Sequence, residues 1–295
     1  MTNINIINSL EIPEPMSTIL TDYILQNINK PLLTVSSISQ KPIQSLVLQE
    51  KFKEEIQYDI KDFYDSWRGT AIHAYLENID RLLGLVVNES YPFTLSGIEI
   101  SGTIDSYNPK TEELRDYKYT RKKKDSNWND YSKQLDFYEV AMLLSKGIEL
   151  KTKTLKVLRS NPTRFTIPFI YDIDVPLCNL RKTIKQIKEK TINIVDALNL
   201  SPEELSIKYP CSKKDMWINT FLKVKKTSTS SAYKGGVFNI SDYPSLEAAR
   251  TAAEDFLATK DEGIIVTVED EPKRCSCAGY CPGRDYCNQR SNIIS

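Results

Sequence analysis

Apolar positions recur at helical spacing through "WRGTAIHAYLENIDRLLG", residues 67–84, where Ile72, Leu76, Ile79 and Leu83 fall on one stripe and Gly84 is a natural stop. "FTLSGIEISGTIDSYN" at 93–108 changes the period to two. Ile98, Ile100 and Ile104 face one way, and Glu99, Ser101, Thr103 and Asp105 the other, in a strand that Asp105 ends. "NPKTEE" reads as a turn and "LRDYKYT" at 114–120 as the returning strand of a hairpin. "NDYSKQLDFYEVAMLLSKG" at 129–147 is a helix, with Asp130 as N-cap and Gly147 just past its end. "KTLKVLRS" and "RFTIPFIYDIDV" are strands, and "LRKTIKQIKEKTINIVDALNL" at 180–200 is a long amphipathic helix. Residues 1–66 read as mostly helical. A loop is expected around "NKPLLTVSSISQKP", and one or two helices in "LVLQEKFKEEIQYDIKDFYDSW".

After Cys211 the texture changes. "WINTFLKVKK", "AYKGGVFNI", "SLEAARTAAEDFLATKDEG" and "IIVTVED" read as strand, strand, helix, strand. The pattern predicts an α/β chain in three parts: a core over 1–210 with a helical N-terminal portion, a small ββαβ inserted module over 211–270, and a cysteine-bearing tail over 271–295 that packs back on the core. A length of 295 residues with 40% hydrophobic content suits one large domain carrying an insertion.

Charge adds little globally, because 39 basic residues balance 39 acidic ones. Only local clustering argues for a nucleic-acid partner. No stretch approaches the ~18 apolar residues of a membrane span, and "MTNINIINSLEIPEPM" lacks the basic start and apolar run of a leader. The expectation is a soluble, cytoplasmic protein with no membrane partner.

The candidate chemistry lies on the regular elements. Asp116 and Lys118 sit two apart on a strand and share a face, while Tyr117 and Tyr119 take the other. A solvent-facing ion pair there contributes only about 0–1 kcal/mol. His73, the one histidine, lies four residues before Glu77, about 6 Å along a helix axis. Gln134 and Tyr138 are again four apart on one helical face. Each has an ordinary structural reading alone: a structural histidine, a surface pair, a turn aspartate. Their order carries more.

Together, Gly69 to His73 in "GTAIH", Gly102 to Asp105 in "GTID", "DYK" at 116–118 and "QLDFY" at 134–138 resemble the PD-(D/E)XK nucleases of the RecB-like exonuclease branch, with its phage-encoded and CRISPR-associated relatives. The resemblance implies a restriction-endonuclease-like core, a mixed central sheet flanked by helices. It implies a metal-dependent DNA exonuclease of recombination, repair or end processing, acting on DNA with free ends, in the host cytoplasm if phage-encoded. Asp105 and Asp116 would hold Mg²⁺ or Mn²⁺, since hard carboxylates suit such ions. His73 would add an imidazole, favouring Mn²⁺, and Tyr117 a backbone carbonyl. Lys118 would orient the attacking water or stabilise developing charge, and Gln134 and Tyr138 would position the lysine, the water or the strand. Glu77 is a supporting residue or a solvated one. Two other classes stand beside this reading: a non-catalytic DNA-binding or assembly module that keeps the fold, and a restriction-type endonuclease.

Arg121, Lys122, Lys123 and Lys124 follow the active strand and are candidate phosphate contacts or a solvated loop. Trp128 and Tyr131 suit base stacking or core packing equally. Of six cysteines, Cys275, Cys277, Cys281 and Cys287 fall within thirteen residues. With Cys211 far upstream, Cys277, Cys281 and Cys287 resemble the iron–sulfur members of the same branch, which implies a [4Fe–4S] cluster pinning the tail. Cys275 is an extra thiol; "CAGYC" fits the family spacing better. Residue type alone leaves zinc open. Cys178 reads as an ordinary buried cysteine.

Overall fold

The structure is a computed structural model that describes residues 4–120, 128–159, 170–212, 220–240, 243, 245–269, 281, 283–287 and 289. In chain order the elements are β1 (Asn5–Ile7), α1 (Met16–Ile28), α2 (Val35–Gln40), α3 (Ile43–Lys51), β2 (Gln57–Asp59), α4 (Tyr64–Leu82), β3 (Val86–Val87), β4 (Phe93–Leu95), β5 (Ile98–Ile100), β6 (Ser106–Asn108), β7 (Glu113–Thr120) and α5 (Asn129–Lys146). They continue with β8 (Thr152–Arg159), β9 (Ile170–Val175), α6 (Leu180–Ala197), α7 (Pro202–Lys208), β10 (Thr220–Lys225), β11 (Ala232–Asn239), α8 (Leu246–Ala258) and β12 (Ile264–Glu269).

The central sheet has the order β3-β6-β7-β8-β9 and is mixed: β7 and β8 run parallel and the other pairs antiparallel. This is the α/β class expected, a mixed sheet flanked by helices. The parallel pair requires a crossover, and α5 supplies it. That position explains why the middle of α5 is buried nearly all round, from Phe137 through Met142, with Gln134 and Glu139 among its buried residues. It packs between the sheet and an outer layer of α2 and α6. On the opposite face lies α4.

A buried ion cluster ties α5 to β8. Lys153 has no exposed surface, and its Nζ lies 2.5 Å from Asp136 and 2.6 Å from Glu139. Glu139 also accepts the Cys178 N–H at 3.0 Å. Cys178 is half-buried at the edge of the main core rather than fully buried as expected, and burial pushes its thiol up to about 11, so it stays protonated.

The ββαβ module is present as β10, β11, α8 and β12, in a sheet of order β11-β10-β12. It has its own core of Leu222, Val224, Ala249 and Ala253, with Phe238 and Phe256 against it.

The N-terminal third departs from expectation. Residues 5–7 and 57–59 form a parallel strand pair rather than helix, covered by Leu20 and Ile24 of α1. The expected loop at 29–42 contains α2, because the Thr34 hydroxyl caps it by accepting the Ser37 N–H at 3.1 Å. Asp130 is not the N-cap of α5 but lies in its first turn, where an acid favours the helix dipole; Trp128 holds the cap position. Gly147 ends α5 in the left-handed region, as its spacing predicts. Residues 93–108 are not one strand. β5 ends at Ile100 and β6 begins at Ser106, so Asp105 precedes a strand instead of ending one. The break lets α2 approach. Val35 N–H donates to the Ser101 carbonyl at 2.8 Å, and a Cβ on Gly102 would stand 2.7 Å from Val35 Cγ2 and 3.4 Å from Tyr138 Cδ1. Gly69 meets no such crowding.

Two stability outcomes follow from this packing. Gly102→Ala should lower unfolding free energy by about 1–3 kcal/mol through overpacking, and Val35→Ala in the same chain should recover part of it, read by urea denaturation as a double-mutant cycle. Lys153→Met leaves Asp136 and Glu139 facing each other without a cation and should cost about 3–5 kcal/mol; a variant as stable as the parent would show that the cluster does not hold α5.

Candidate active site

β6 and β7 pair only from Ser106↔Arg115 to Asn108↔Glu113. Beyond that register β6 leaves, and β7 continues to Thr120 with one edge open. Asp105 stands at the fork. Its Oδ2 accepts the Tyr117 N–H at 2.8 Å, replacing the ladder partner that β6 no longer provides. N–H and C=O of one strand residue point the same way, so the Tyr117 carbonyl also faces the fork. Extending the hairpin register by one step sets Asp105 across from Asp116.

Two helices converge on this point from opposite faces of the sheet. From α4, His73 Nδ1 lies 3.5 Å from Asp105 Oδ2, with the imidazole edge-on to the Tyr117 ring. From α5, Gln134 Oε1 accepts from Lys118 Nζ at 3.1 Å, and Gln134 Nε2 donates to the Tyr138 hydroxyl at 3.2 Å. Lys118 Nζ lies 2.6 Å from Asp116 Oδ2 and 5.2 Å from the Tyr131 ring centroid. His73, Asp105, Asp116, Tyr117, Lys118, Gln134 and Tyr138 are therefore brought to one place, and Asp116 and Lys118 share a face as the strand pattern predicts.

Sequence reading missed the supports around them. Gln40, at the end of α2, donates to Gln134 Oε1 at 2.6 Å, so Gln134 is held from two sides; its segment carries no periodic signal. Behind β7, the Tyr117 hydroxyl donates to buried Asp80 at 2.5 Å, Arg115 Nη1 lies 3.7 Å from Asp80, and Arg68 donates to Tyr119 at 2.9 Å. The helical stripe 73-77-80 was legible as a row of polar residues. The apolar stripe predicted for α4 is only partly used: Ile79 and Leu83 are exposed. The face of β7 under α4 presents a hydroxyl and a guanidinium, and polar side chains of α4 match them.

Electrostatics separate the two acids. Burial opposes ionisation of Asp105, yet His73, Lys118 and the Tyr117 N–H outweigh it and hold its carboxyl below the usual range. Burial dominates at Asp116 and raises it, with the Asp105 charge adding to the effect against the pull of Lys118. Burial would lower Lys118, but the two carboxylates raise it. Burial and Asp105 also raise Glu77, which places it beside the site without a direct contact to its acids. One acid ionises readily, its neighbour resists, and one ammonium interacts with both.

The donor set fits a hard divalent cation. Asp116 Oδ2 is buried and, despite its short distance to Lys118, has no well-directed hydrogen bond among the described residues. Carboxylate oxygens, a carbonyl and an imidazole suit Mg²⁺ or Mn²⁺. The ligand atoms of His73, Asp105 and Asp116 are not all within 4.8 Å of one another. Among the described residues, the trio that is that close is Asp136, Glu139 and Cys178, where the Lys153 ammonium is already the cation.

Arg121, Lys122, Lys123 and Lys124 lie outside the described residues, as do Cys275 and Cys277. Of the other cysteines of the set, two touch α3: the Cys211 N–H donates to Gln44 Oε1 at 3.3 Å, and Cys281 lies beside Ser45. The Gln289 side chain takes the Cys211 N–H at 2.9 Å and donates to the Cys211 carbonyl at 2.9 Å. Cys281 Sγ lies 3.6 Å from the Ser45 hydroxyl, and Tyr286 stacks on Phe52 at 4.1 Å. A Cβ on Gly283 would stand 2.6 Å from Leu48 Cβ. Cys287 is buried in the main core. Among the described residues, no helix is long and apolar enough to cross a membrane.

Comparison with known proteins returns no matching family model and no curated relative. Among solved structures the chain is similar to a protein named SSO0001, at 14% identity and a TM-score of 0.48, covering 68% of this chain and 97% of that one. It is also similar to a phage-related exonuclease from Haemophilus somnus 129PT, at 14% identity and a TM-score of 0.36, covering 59% and 97%. At those scores neither likeness bears on function.

Proposed function

We propose that this chain is a metal-dependent deoxyribonuclease, an exonuclease of the PD-(D/E)XK type. The observation that carries the reading is the fork at Asp105, where acids with opposed ionisation, a half-buried lysine and a histidine from a second helix meet at one open strand edge. Residues 1–210 would form the nuclease core, 211–270 an insertion and 271–295 a docking tail.

Asp105, Asp116, His73 and the Tyr117 carbonyl would hold Mg²⁺ or Mn²⁺. Such an ion, when bound, supplies charge for the phosphate and makes a water more acidic. Lys118 places an ammonium where the attacking oxygen and phosphate meet, and it stabilises the negative charge that grows there. Gln134 fixes the ammonium's direction, and Gln40 fixes Gln134 in turn. Tyr138 keeps its proton, because burial and the Asp116 charge push its ionisation up, and so remains a donor. The Tyr131 ring lies 5.2 Å from the Lys118 ammonium, on the side of α5.

Incubation of end-labelled linear DNA and closed circular DNA with Mg²⁺ or Mn²⁺ tests the assignment. Mononucleotide or short-oligonucleotide release from linear DNA alone is expected. Rapid opening of closed circles would replace the exonuclease with an endonuclease, and binding without cleavage would leave a DNA-binding module. Asp105→Asn and Lys118→Ala should each lower cleavage by at least ~10²–10³-fold, the usual cost of losing a preorganised electrostatic group. Both should stay folded by circular dichroism, with Lys118→Ala the less stable because it strips Asp116 of its partner.

For the tail, we propose that Cys211, Cys281 and Cys287, with Cys277, bind a [4Fe–4S] cluster. The support is that Cys211, Cys281 and Gly283 all touch α3. Anaerobically purified protein should be brown and contain about four iron atoms. A colourless preparation with stoichiometric zinc would assign the cysteines to a zinc site.

A further inference from the structure

Arg159 is the last residue of β8. Among the described residues its side chain makes no hydrogen bond or ion pair, and its Nε is buried with no acceptor. A buried guanidinium nitrogen without a partner costs free energy on the scale of a lost charged hydrogen bond, so folding alone gives no reason for it.

Its position gives one. β7 and β8 are parallel, with Asp116↔Leu155, Lys118↔Val157 and Thr120↔Arg159 in register. Residues paired in this way share a face of the sheet, so Arg159 lies on the side of Asp116 and Lys118. It is one strand across and one two-residue repeat beyond Lys118, toward the carboxyl ends of the strands. That repeat is about 6–7 Å, close to the spacing of successive phosphates along an extended strand of nucleic acid.

The surroundings favour an anion. Ligands of α/β sheets bind beyond the carboxyl ends of parallel strands. The eighteen-residue helix α5 starts at that same end, with the positive pole of its dipole there. The residues of β9 on this face are Tyr171, paired with Val157, Ile173, paired with Leu155, and Val175, paired with Lys153. The β9 acid nearest this end, Asp172, is on the other face and binds Lys156 at 2.6 Å. Asp130, the acid in the first turn of α5, is exposed. Trp128 and Tyr171, edge-on at 6.1 Å, are both buried and form an apolar wall, which strengthens any charge pairing formed beside it.

We infer that Arg159 binds a backbone phosphate of a DNA strand lying across the carboxyl ends of β7 and β8, one phosphate away from the one beside Lys118. This rests on the nuclease reading above. A guanidinium suits the role because its planar fork can grip two phosphate oxygens at once.

Arg159→Ala and Arg159→Lys test it, with binding of a fluorescent single-stranded oligonucleotide followed by anisotropy in EDTA over a range of salt. Arg159→Ala should weaken binding about tenfold and lower the slope of log K against log salt by about 0.7. Arg159→Lys should keep the slope and recover only part of the affinity. Thermal unfolding of ligand-free Arg159→Ala should match or exceed wild type, since an unpaired buried donor is removed; a clear fall in melting temperature would assign Arg159 a structural role and overturn the inference. Wild-type affinity and salt slope in Arg159→Ala, with DNA cleavage intact, would overturn it while leaving the nuclease. If wild type neither binds nor cuts DNA, both readings fall. In that case inorganic phosphate that stabilises wild type but not Arg159→Ala would assign the arginine to a free anion instead.

Discussion

The site depends on a hairpin that separates early. β6 pairs with β7 for three residues and then turns away, which leaves Tyr117 with an N–H that must still find an acceptor. Asp105 provides it. That one hydrogen bond draws a carboxylate to the strand edge, opposite Asp116, and opens a gap through which His73 reaches from the other side of the sheet. A fully zipped hairpin would satisfy the backbone and keep the two faces apart.

Around the fork the protein holds each group by something less mobile. Lys118 is held by Asp116 and Gln134, and Gln134 by Gln40. Strand β7 is tied to α4 through Tyr117 and Asp80, and α5 is tied to β8 through Lys153. Apart from Asp105, the polar groups gathered at the fork thus stand on two helices and a central strand rather than on loops, which limits the spread of distances between them.

The sequence conveyed the central sheet and its helices because hydrophobic period is a local property. The hairpin, α5 with its Gly147 stop, α6 and the ββαβ pattern are all legible from spacing. Asp116 and Lys118 share a face because strand geometry requires it. What could not be read depended on distant partners. The helix at 35–40 is set by a hydroxyl cap and by docking of Val35 on Gly102, and it brings Gln40 to the site from a segment with no pattern of its own. The β1–β2 pair joins residues some fifty positions apart. The inward face of α4 is polar because β7 presents a hydroxyl and a guanidinium to it, and no periodicity of α4 alone reveals that.

In the ββαβ unit, the first residue of β10 pairs with the last residue of β12, Thr220 with Glu269. The entry and exit of residues 220–269 are therefore neighbouring strands, about 4.8 Å apart. To the rest of the chain, the whole unit has the reach of a tight turn. Growth, loss or exchange of material inside it would leave the separation of its two ends, residues 220 and 269, nearly unchanged.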